Sequence, residues 1–333
     1  MNLDIDKIRN SAGMAEVGFI EDGEIVDIIS IGDRLIAVKE HSVYELIRAD
    51  QVDPKRQTIS IPNIIQKKVI GKGPNEPIVA KTLLTAKTLF QDGSFEKETI
   101  QSIVNLALEA LIEFSLLDIE VNNYILLESN EIDKFEKFKK DQTNYIIPSI
   151  ADIQSRAKTI FQKTDQVSQI LIDLIRTFYP KDKKLKVTPY EHLLKIFRDK
   201  YGEQDPGTDY LNKNLEFFCH IRSIRNGLDH RLQTVEVKDF EVQENGDIQI
   251  PTIELKATEC KLNRTNFNEY ITKILRVFPY VFENILAMVA NDNICPSLMS
   301  FSVQEMPTDQ RKYQEVRFAL YSPLGTGGFF VKN

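Results

Sequence analysis

The chain has 333 residues and a formal net charge of −7, with 42% hydrophobic and 27% charged residues. These values indicate a soluble globular protein of two or three domains with a sizeable core. They argue against a protein coated by nucleic acid, although a local basic patch could still bind it. No uninterrupted apolar run approaches the length that a membrane helix needs, and the start lacks the pattern of a signal peptide.

The three cysteines, Cys219, Cys260 and Cys295, are widely spaced along the chain. Their spacing fits neither a disulfide framework nor a zinc site. We therefore expect reduced thiols, no bound metal, no cofactor and a cytoplasmic location.

Residues 1–77 are predicted to form a β-rich N-terminal domain. Apolar, β-branched runs predict strands over residues 24–31, 34–39 and 42–48. The density of proline and glycine over residues 51–77 predicts irregular structure there. The first domain is therefore expected to consist of three strands followed by an irregular stretch of chain.

The sequence becomes helical in character from residue 78 onwards. Apolar residues at helical spacing predict helices over residues 78–90 and 97–117. A short strand is predicted over residues 122–127, and a charged, exposed helix over residues 131–141. Residues 78–147 are thus expected to form a helical connecting region.

Residues 148–295 are predicted to form a helical bundle with an inserted β-hairpin. Long amphipathic patterns predict its helices over residues 149–179, 189–201, 210–231 and 263–290. The Asn-Gly pair at residues 245–246 predicts the hairpin, over residues 234–255. Residues 296–333 are expected to add C-terminal strands, over 298–304 and 314–321, and a flexible tail.

The third helix of this bundle ends in the hexad Arg225-Asn226-Gly227-Leu228-Asp229-His230. An arginine binds phosphate through a planar fork of donors, and a histidine moves protons near neutral pH. Asn226 and His230 are four residues apart and share a helix face. Gly227 costs about 1 kcal/mol inside a helix relative to alanine, which predicts a bend or a close approach by another backbone. A two-fold axis beside the hexad would supply such an approach.

The pattern Arg225-Asn226-x-x-x-His230, closing a helix within a bundle, resembles the signature of the HEPN superfamily. The spacing of arginine and histidine alone is not specific, because Arg34 and His41 also satisfy it within a predicted hairpin. The asparagine and the helical setting make the match more specific. The resemblance covers residues 148–293. It implies a HEPN-like α-helical bundle there, and together with the predicted N-terminal strands it predicts an α+β protein in which a β-rich domain precedes the bundle.

The resemblance implies an endoribonuclease that needs no metal. The ribose 2′-hydroxyl would attack the adjacent phosphorus, with His230 as the acid or base and Arg225 stabilising the developing charge. Asn226 would orient His230 or bind a phosphate oxygen. Because the family builds one composite site from two motifs and this chain has one qualified motif, we expect a homodimer through the bundle.

The expected accessory contacts to the RNA backbone are Arg222, Arg231 and His220. The most basic short run of the chain contains Lys183 and Lys184, which are expected to dock the RNA. The expected partners are RNA, a second copy of the chain, and a regulatory protein or antitoxin, with no membrane. Family habit implies a role in bacterial defence or toxin-like growth arrest.

Other interpretations remain open at this point. The bundle could be non-catalytic and bind RNA or a nucleotide, or it could be a scaffold or structural adaptor that assembles through the helix over residues 263–290. His230 could simply place a cation at the end of its helix while Arg225 pairs with Asp229. The lysine run could be a solvated loop, and His220 a packing residue.

Overall fold

A computed structural model describes residues 2–10, 16–139, 146–180, 188–244, 247–296, 300–323 and 328–330. The protein is α+β, as predicted, with an antiparallel sheet near the N-terminus followed by a helical region. It divides into two compact units. The terminal unit comprises Met1–Ile112 and Ala290–Asn333, and the central unit comprises Glu113–Val289. The predicted boundaries at residues 77, 147 and 295 differ from this division and stay a prediction.

The terminal unit begins with a four-stranded antiparallel sheet. Its elements are α1 (Asn2–Asn10), β1 (Ile25–Ile31), β2 (Arg34–Lys39), β3 (Val43–Arg48), α2 (Ala49–Val52) and β4 (Ile64–Ile70). The strands lie in the order β1-β2-β3-β4, and Ala37, Tyr44 and Leu46 contribute to the core on one face. The three predicted strands are confirmed. The prediction of irregular structure over residues 51–77 is wrong for residues 64–70. These residues follow Pro62 and form β4, which pairs with β3.

A short helical segment follows the sheet, and then a very long helix. The segment comprises α3 (Pro77–Val79), a π-helical turn (Ala80–Leu84) and α4 (Thr85–Leu89). The long helix is α5 (Lys97–Lys139), of 43 residues. The strand predicted over residues 122–127 is therefore wrong. Val121, Tyr124 and Glu128 are buried at helical spacing within the central unit, and this burial overrides the local preference of the apolar run for a strand.

The central unit continues with three helices, α6 (Ile153–Phe178), α7 (Pro189–Tyr201) and α8 (Pro206–Asp229). A capping box begins α7, because the Glu191 N–H donates to Thr188 Oγ1 at 3.3 Å and the Thr188 N–H donates to Glu191 Oε2 at 2.6 Å. Asp205 caps α8 by accepting from the Thr208 N–H at 3.0 Å, with Pro206 in the first helical position. The hexad, residues 225–230, falls in the last turn and C-cap of α8.

A small antiparallel sheet and a final helix complete the central unit. The elements are β5 (Val235–Lys238), β6 (Glu241–Val242), β7 (Ile248–Gln249), β8 (Thr252–Lys256), β9 (Lys261–Asn266) and α9 (Phe267–Asp292). The predicted hairpin is confirmed by the pairing of β5 with β8 and of β6 with β7. The predicted helix start at residue 263 is wrong, because residues 261–266 pair with β8 as a third strand. The last three residues of α9 belong to the terminal unit.

The C-terminal segment adds a three-stranded sheet to the terminal unit. It comprises β10 (Ser302–Glu305), β11 (Phe318–Ser322) and β12 (Gly328–Phe330). The same segment holds Lys81 of the π-helical turn, which is fully buried. Its Nζ lies 2.9 Å from the Glu315 carbonyl oxygen and 3.0 Å from Glu315 Oε2. Most of the predicted flexible tail lies outside the described residues.

Two helices, α5 and α9, are long and apolar enough to cross a membrane by length and composition. Half of the apolar window of α5 and 61% of that of α9 is buried within the protein. Such burial is what core helices of a soluble protein have.

Candidate functional site

The hexad forms the last turn and the cap of α8. His230 is the C-cap residue, and its N–H donates to the Asn226 carbonyl at 3.0 Å. Arg231 follows with a positive φ of 52°, and the Leu232 N–H donates to the Gly227 carbonyl at 2.9 Å. This left-handed ending is a Schellman motif, which usually has glycine where this chain has Arg231. The hexad therefore lies where the helix stops and its last carbonyls meet the following chain.

Gly227 is explained by a contact inside one chain. A Cβ atom at this position would lie 2.3 Å from Val235 Cγ2 and 3.4 Å from Thr234 Oγ1. The segment that enters β5 thus packs directly against the backbone of α8, and any side chain at Gly227 would clash with it. Val235 of the same chain is enough to account for Gly227, so the glycine gives no support to a two-fold axis and the homodimer remains an expectation from the resemblance alone.

Arg225 lies at the centre of an ion cluster between α6 and α8. Its Nε lies 2.9 Å from Asp229 Oδ2 and 3.7 Å from Asp165 Oδ2, and its Nη1 donates to Asn226 Oδ1 at 3.0 Å. The pairing of Arg225 with Asp229, which was an open alternative, is confirmed. The side chain of Arg225 is therefore held in place from two helices.

The same cluster fixes Asp229 from the side of α6. Gln162 Nε2 donates to Asp229 Oδ1 at 2.8 Å, and Lys158 Nζ lies 3.2 Å from the same oxygen. Partial burial works to raise the pKa of Asp229, but the hydrogen bonds from Gln162 and Lys158 and the charge of Arg225 outweigh it and lower the pKa. Asp229 therefore stays an anion and holds Arg225. We call Lys158, Gln162, Asp165, Arg225 and Asp229 the helix-end cluster.

Sequence reasoning missed the three members of this cluster on α6. Lys158, Gln162 and Asp165 are spaced four and three residues apart, so they share one face of their helix. That spacing was visible in the sequence. The pairing of that face with the hexad is a long-range contact that local patterns do not encode.

Two polar groups at the end of α8 are left open. Arg225 uses Nε and Nη1 within the chain, whereas its Nη2 has no partner in the described ranges, and 36% of the side chain is exposed. His230 is exposed, and within the same described ranges its imidazole has no hydrogen-bond partner. The Nη2 donor of Arg225 and the imidazole of His230 thus lie five residues apart in sequence, at the same end of α8.

The predicted accessory residues differ in their surroundings. Arg222 and Arg231 are exposed. His220 is engaged, because its Nε2 lies 3.1 Å from the Lys261 carbonyl oxygen and 3.7 Å from Glu216 Oε1. Lys183 and Lys184 lie outside the described residues.

A cleft of about 1190 Å³ opens beside the hexad between α6, α7 and α8. Asn226 and Arg222 line it from α8, and Asp165 and Ser168 line it from α6. It is larger than most pockets that enclose a small ligand, which hold about 300–1,000 Å³. The hexad therefore borders a concave surface through Asn226.

The wall of this cleft contains a disulfide between Cys219 of α8 and Cys260, which precedes β9. The expectation of reduced thiols is wrong for this pair, whose Cα atoms lie 6.4 Å apart. The turn between β8 and β9 brings together two cysteines that are 41 residues apart in the sequence. The spacing of the cysteines along the sequence did not indicate this disulfide, because the two residues come together only in the tertiary structure.

Among the residues that the structure describes, no group of three histidine, cysteine, aspartate or glutamate side chains is arranged to hold a metal ion. Comparison with protein-family models, with curated proteins and with solved structures finds no match to this chain.

Proposed function

We propose that this protein is a metal-independent endoribonuclease of the HEPN type, whose working groups are Arg225, Asn226 and His230. The proposal includes a role in bacterial defence or toxin-like growth arrest. It keeps the expected cytoplasmic location, although the disulfide between Cys219 and Cys260 removes the argument from reduced thiols. The observation that supports it most is the state of the helix end. Arg225 is held by contacts from two helices while its Nη2 has no partner among the described residues, and the exposed imidazole of His230 has none there either.

The proposed reaction transfers a phosphodiester within the RNA. The 2′-hydroxyl oxygen attacks the adjacent phosphorus, the bond from phosphorus to the 5′-oxygen breaks, and a 2′,3′-cyclic phosphate and a 5′-hydroxyl result. A neutral imidazole takes the proton from the 2′-hydroxyl, and a protonated one gives a proton to the leaving 5′-oxygen. Nη2 of Arg225 donates to a phosphate oxygen as charge builds on it.

A second copy of the chain would divide these tasks. One imidazole cannot take and give a proton on opposite sides of phosphorus at once, so two copies of His230 in one site would complete the reaction. The exposure of His230 and Arg225 leaves both groups accessible to a second copy. We therefore propose a homodimer with a composite site and no contribution from Gly227.

Cleavage of labelled single-stranded RNA in the presence of EDTA tests the proposal. Wild-type protein should cleave, and His230→Ala should be slower by about 100-fold or more, since general acid–base catalysis contributes about that much. The products should have cyclic phosphate ends. Absence of cleavage by pure wild-type protein across about pH 5–9 would refute the proposal.

His41→Ala is the matched control for this experiment. His41 belongs to the other arginine–histidine pair of suitable spacing, Arg34 and His41, and lies in the turn between β2 and β3. We expect His41→Ala to cleave at the wild-type rate. Equal losses in both variants would mean that the effect is not specific to the hexad.

The second candidate is a non-catalytic protein that binds RNA or a nucleotide, or acts as a scaffold. The ion pair of Arg225 with Asp229 favours it, because that pair also gives Arg225 a structural role. Binding of RNA without cleavage, unchanged by His230→Ala, would select this candidate.

A further inference from the structure

The inner surface of the cleft contains a buried hydroxyl that has no partner. Ser168 of α6 is 4% exposed and lines the cleft, and its Oγ has no hydrogen-bond partner within the described part of the chain. Burial of an unpaired hydroxyl is unfavourable, and such groups call for an explanation. A ligand atom in the cleft would supply the missing hydrogen bond.

A free positive charge faces the same cleft from α8. Arg222 is exposed and lines the cleft, and it makes no ion pair or hydrogen bond within the described ranges. Arg176, the other arginine of the lining, is paired with Asp173 at 3.0 Å. Arg222 is therefore the group most available for an anionic ligand, and its guanidinium fits a phosphate.

Tyr190 of α7 links the surroundings of these two residues. Its hydroxyl donates to the Ser168 carbonyl oxygen at 2.8 Å. Its ring stacks on Phe218, four residues before Arg222 on α8, with ring centroids 3.7 Å apart. The wall is thus a rigid apolar layer that supports Ser168 on one side and the turn of Arg222 on the other.

The acidic side chains of the lining limit the ligand to a small one. Asp165, Glu191, Glu216 and Glu259 all line the cleft. Asp165 is close to Arg225, and Glu191 is used in the capping box, but the lining still has more carboxylates than arginines. A strand with many phosphates would be repelled there. A ligand with one anionic group and several hydroxyls would not.

We propose that this cleft binds a single ribonucleotide unit, with its phosphate on Arg222 and a hydroxyl or base edge on Ser168 and Asn226. The choice of a nucleotide rests on the proposed function, because a nucleotide next to the cleaved bond would enter through Asn226. A free mononucleotide has the same chemistry, and competition with a short RNA distinguishes a nucleotide of the RNA from a free one.

Calorimetric titration of the full chain with uridine 5′-monophosphate and with uridine tests the site. The monophosphate should bind at least tenfold more tightly than the nucleoside, as expected for a hydrogen-bonded charge pair. Arg222→Gln should remove that difference. Arg276→Gln, at an exposed arginine of α9 outside the lining, is the matched control and should leave it unchanged.

Ser168→Ala separates a ligand contact from a structural role. It should weaken binding of the monophosphate about fivefold, since one hydrogen bond is lost. The melting temperature of the free protein should stay the same or rise, because the hydroxyl has no partner to lose. A structural hydroxyl would give a lower melting temperature. No saturable binding of the monophosphate, or binding unchanged in both Arg222→Gln and Ser168→Ala, would overturn the site.

A short RNA added as competitor identifies the source of the nucleotide. Displacement of the monophosphate assigns the cleft to a unit of the RNA, and its absence assigns it to a free mononucleotide. Binding can be measured without cleavage, since a monophosphate has no phosphodiester to break. Binding of the monophosphate without any cleavage of RNA would support the site and refute the proposed nuclease. Cleavage of RNA without binding of the monophosphate would support the nuclease and refute the site.

Discussion

The sheet cluster of the terminal unit, formed by Asp22, Lys39, Tyr44 and Lys68, and the helix-end cluster of the central unit are both partly buried, and they differ in which polar groups they leave without a partner. In the terminal unit, Asp22 accepts hydrogen bonds from Tyr44 at 2.6 Å and Lys68 at 2.8 Å. Nearby, the ammonium of Lys39 donates to the carbonyls of Val17 and Phe19. The helix-end cluster instead leaves Nη2 of Arg225 and the neighbouring imidazole of His230 without partners in the described chain.

This difference separates a structural cluster from one that can bind a ligand. In the sheet cluster the buried groups bond to one another or to backbone carbonyls: the Tyr44 hydroxyl donates to Asp22, and the Lys39 ammonium donates to two carbonyl oxygens. Such a buried network stabilises one conformation. In the helix-end cluster the Arg225 side chain is already ordered before a ligand binds, so binding costs less conformational entropy. We therefore expect changes at the sheet cluster to alter stability alone, and changes at the helix end to alter function as well.

Reduction of the disulfide between Cys219 and Cys260 should produce the largest difference in stability between the central and the terminal unit. A disulfide that closes a loop of about 40 residues stabilises the folded state by about 4 kcal/mol. Denaturant titration of oxidised and reduced protein measures the loss. Hydrogen exchange should place the lost protection in α8 and β9, and not in β1–β4. Cys295→Ser, at a cysteine without a disulfide, is the control and should change neither measurement.

Gly227→Ala should destabilise the helix end by up to about 2 kcal/mol. Overpacking against Val235 costs about 1–3 kcal/mol and exceeds the gain of about 1 kcal/mol in helix propensity. In a Val235→Ala background the clashing Cγ2 is gone, so Gly227→Ala should become neutral or stabilising. Chemical denaturation of the four proteins gives this coupling. Equal effects of Gly227→Ala in both backgrounds would contradict the contact.

Arg231→Gly should stabilise the protein by about 0.5–1 kcal/mol. Relief of the left-handed backbone at Arg231 is worth about 1–2 kcal/mol, and the greater freedom of unfolded glycine offsets part of it. The same variant should bind RNA less tightly, because a cation beside His230 is lost. Higher stability with unchanged RNA affinity would remove Arg231 from the proposed interface.

Acid titration should produce the smallest change in stability, and it compares the two clusters directly. The hydrogen bonds from Lys68 and Tyr44 hold the pKa of Asp22 well below its usual range, and the pKa of Asp229 is lowered against the opposing effect of its own burial. Each carboxylate therefore stabilises the fold above about pH 4, and this stabilisation is lost as the pH falls towards its folded pKa. Asp22→Asn should flatten the acid limb of the stability curve more than Asp229→Asn. The reverse order would contradict the comparison.

Local patterns predicted the parts of the structure that depend on neighbours in sequence. The first three strands, the capping box of Thr188 and Glu191, and the helical position of the hexad all follow from propensity, capping and periodicity. The strand predicted over residues 122–127 failed because burial in the central unit decided between two local preferences.

The candidate site was predictable only in its helical part. Arg225, Asn226 and His230 were identified by spacing along one helix, and the pairing of Arg225 with Asp229 by helical arithmetic. The contacts of Cys219 with Cys260 and of the hexad with α6 join residues that are distant in sequence, and the contact of Gly227 with Val235 depends on how the chain turns back after the helix ends. Such contacts are set by tertiary packing, so a single sequence does not reveal them.

The discontinuous terminal unit has a consequence for the order of synthesis. Its two segments, Met1–Ile112 and Ala290–Asn333, are separated by the whole central unit. On the ribosome the central unit is complete before the second segment appears, since folding follows the order of translation. Until Glu315 emerges, the ammonium of Lys81 has not met its carbonyl and carboxylate. We therefore expect the terminal unit to complete its folding only after the C-terminal segment has been synthesised.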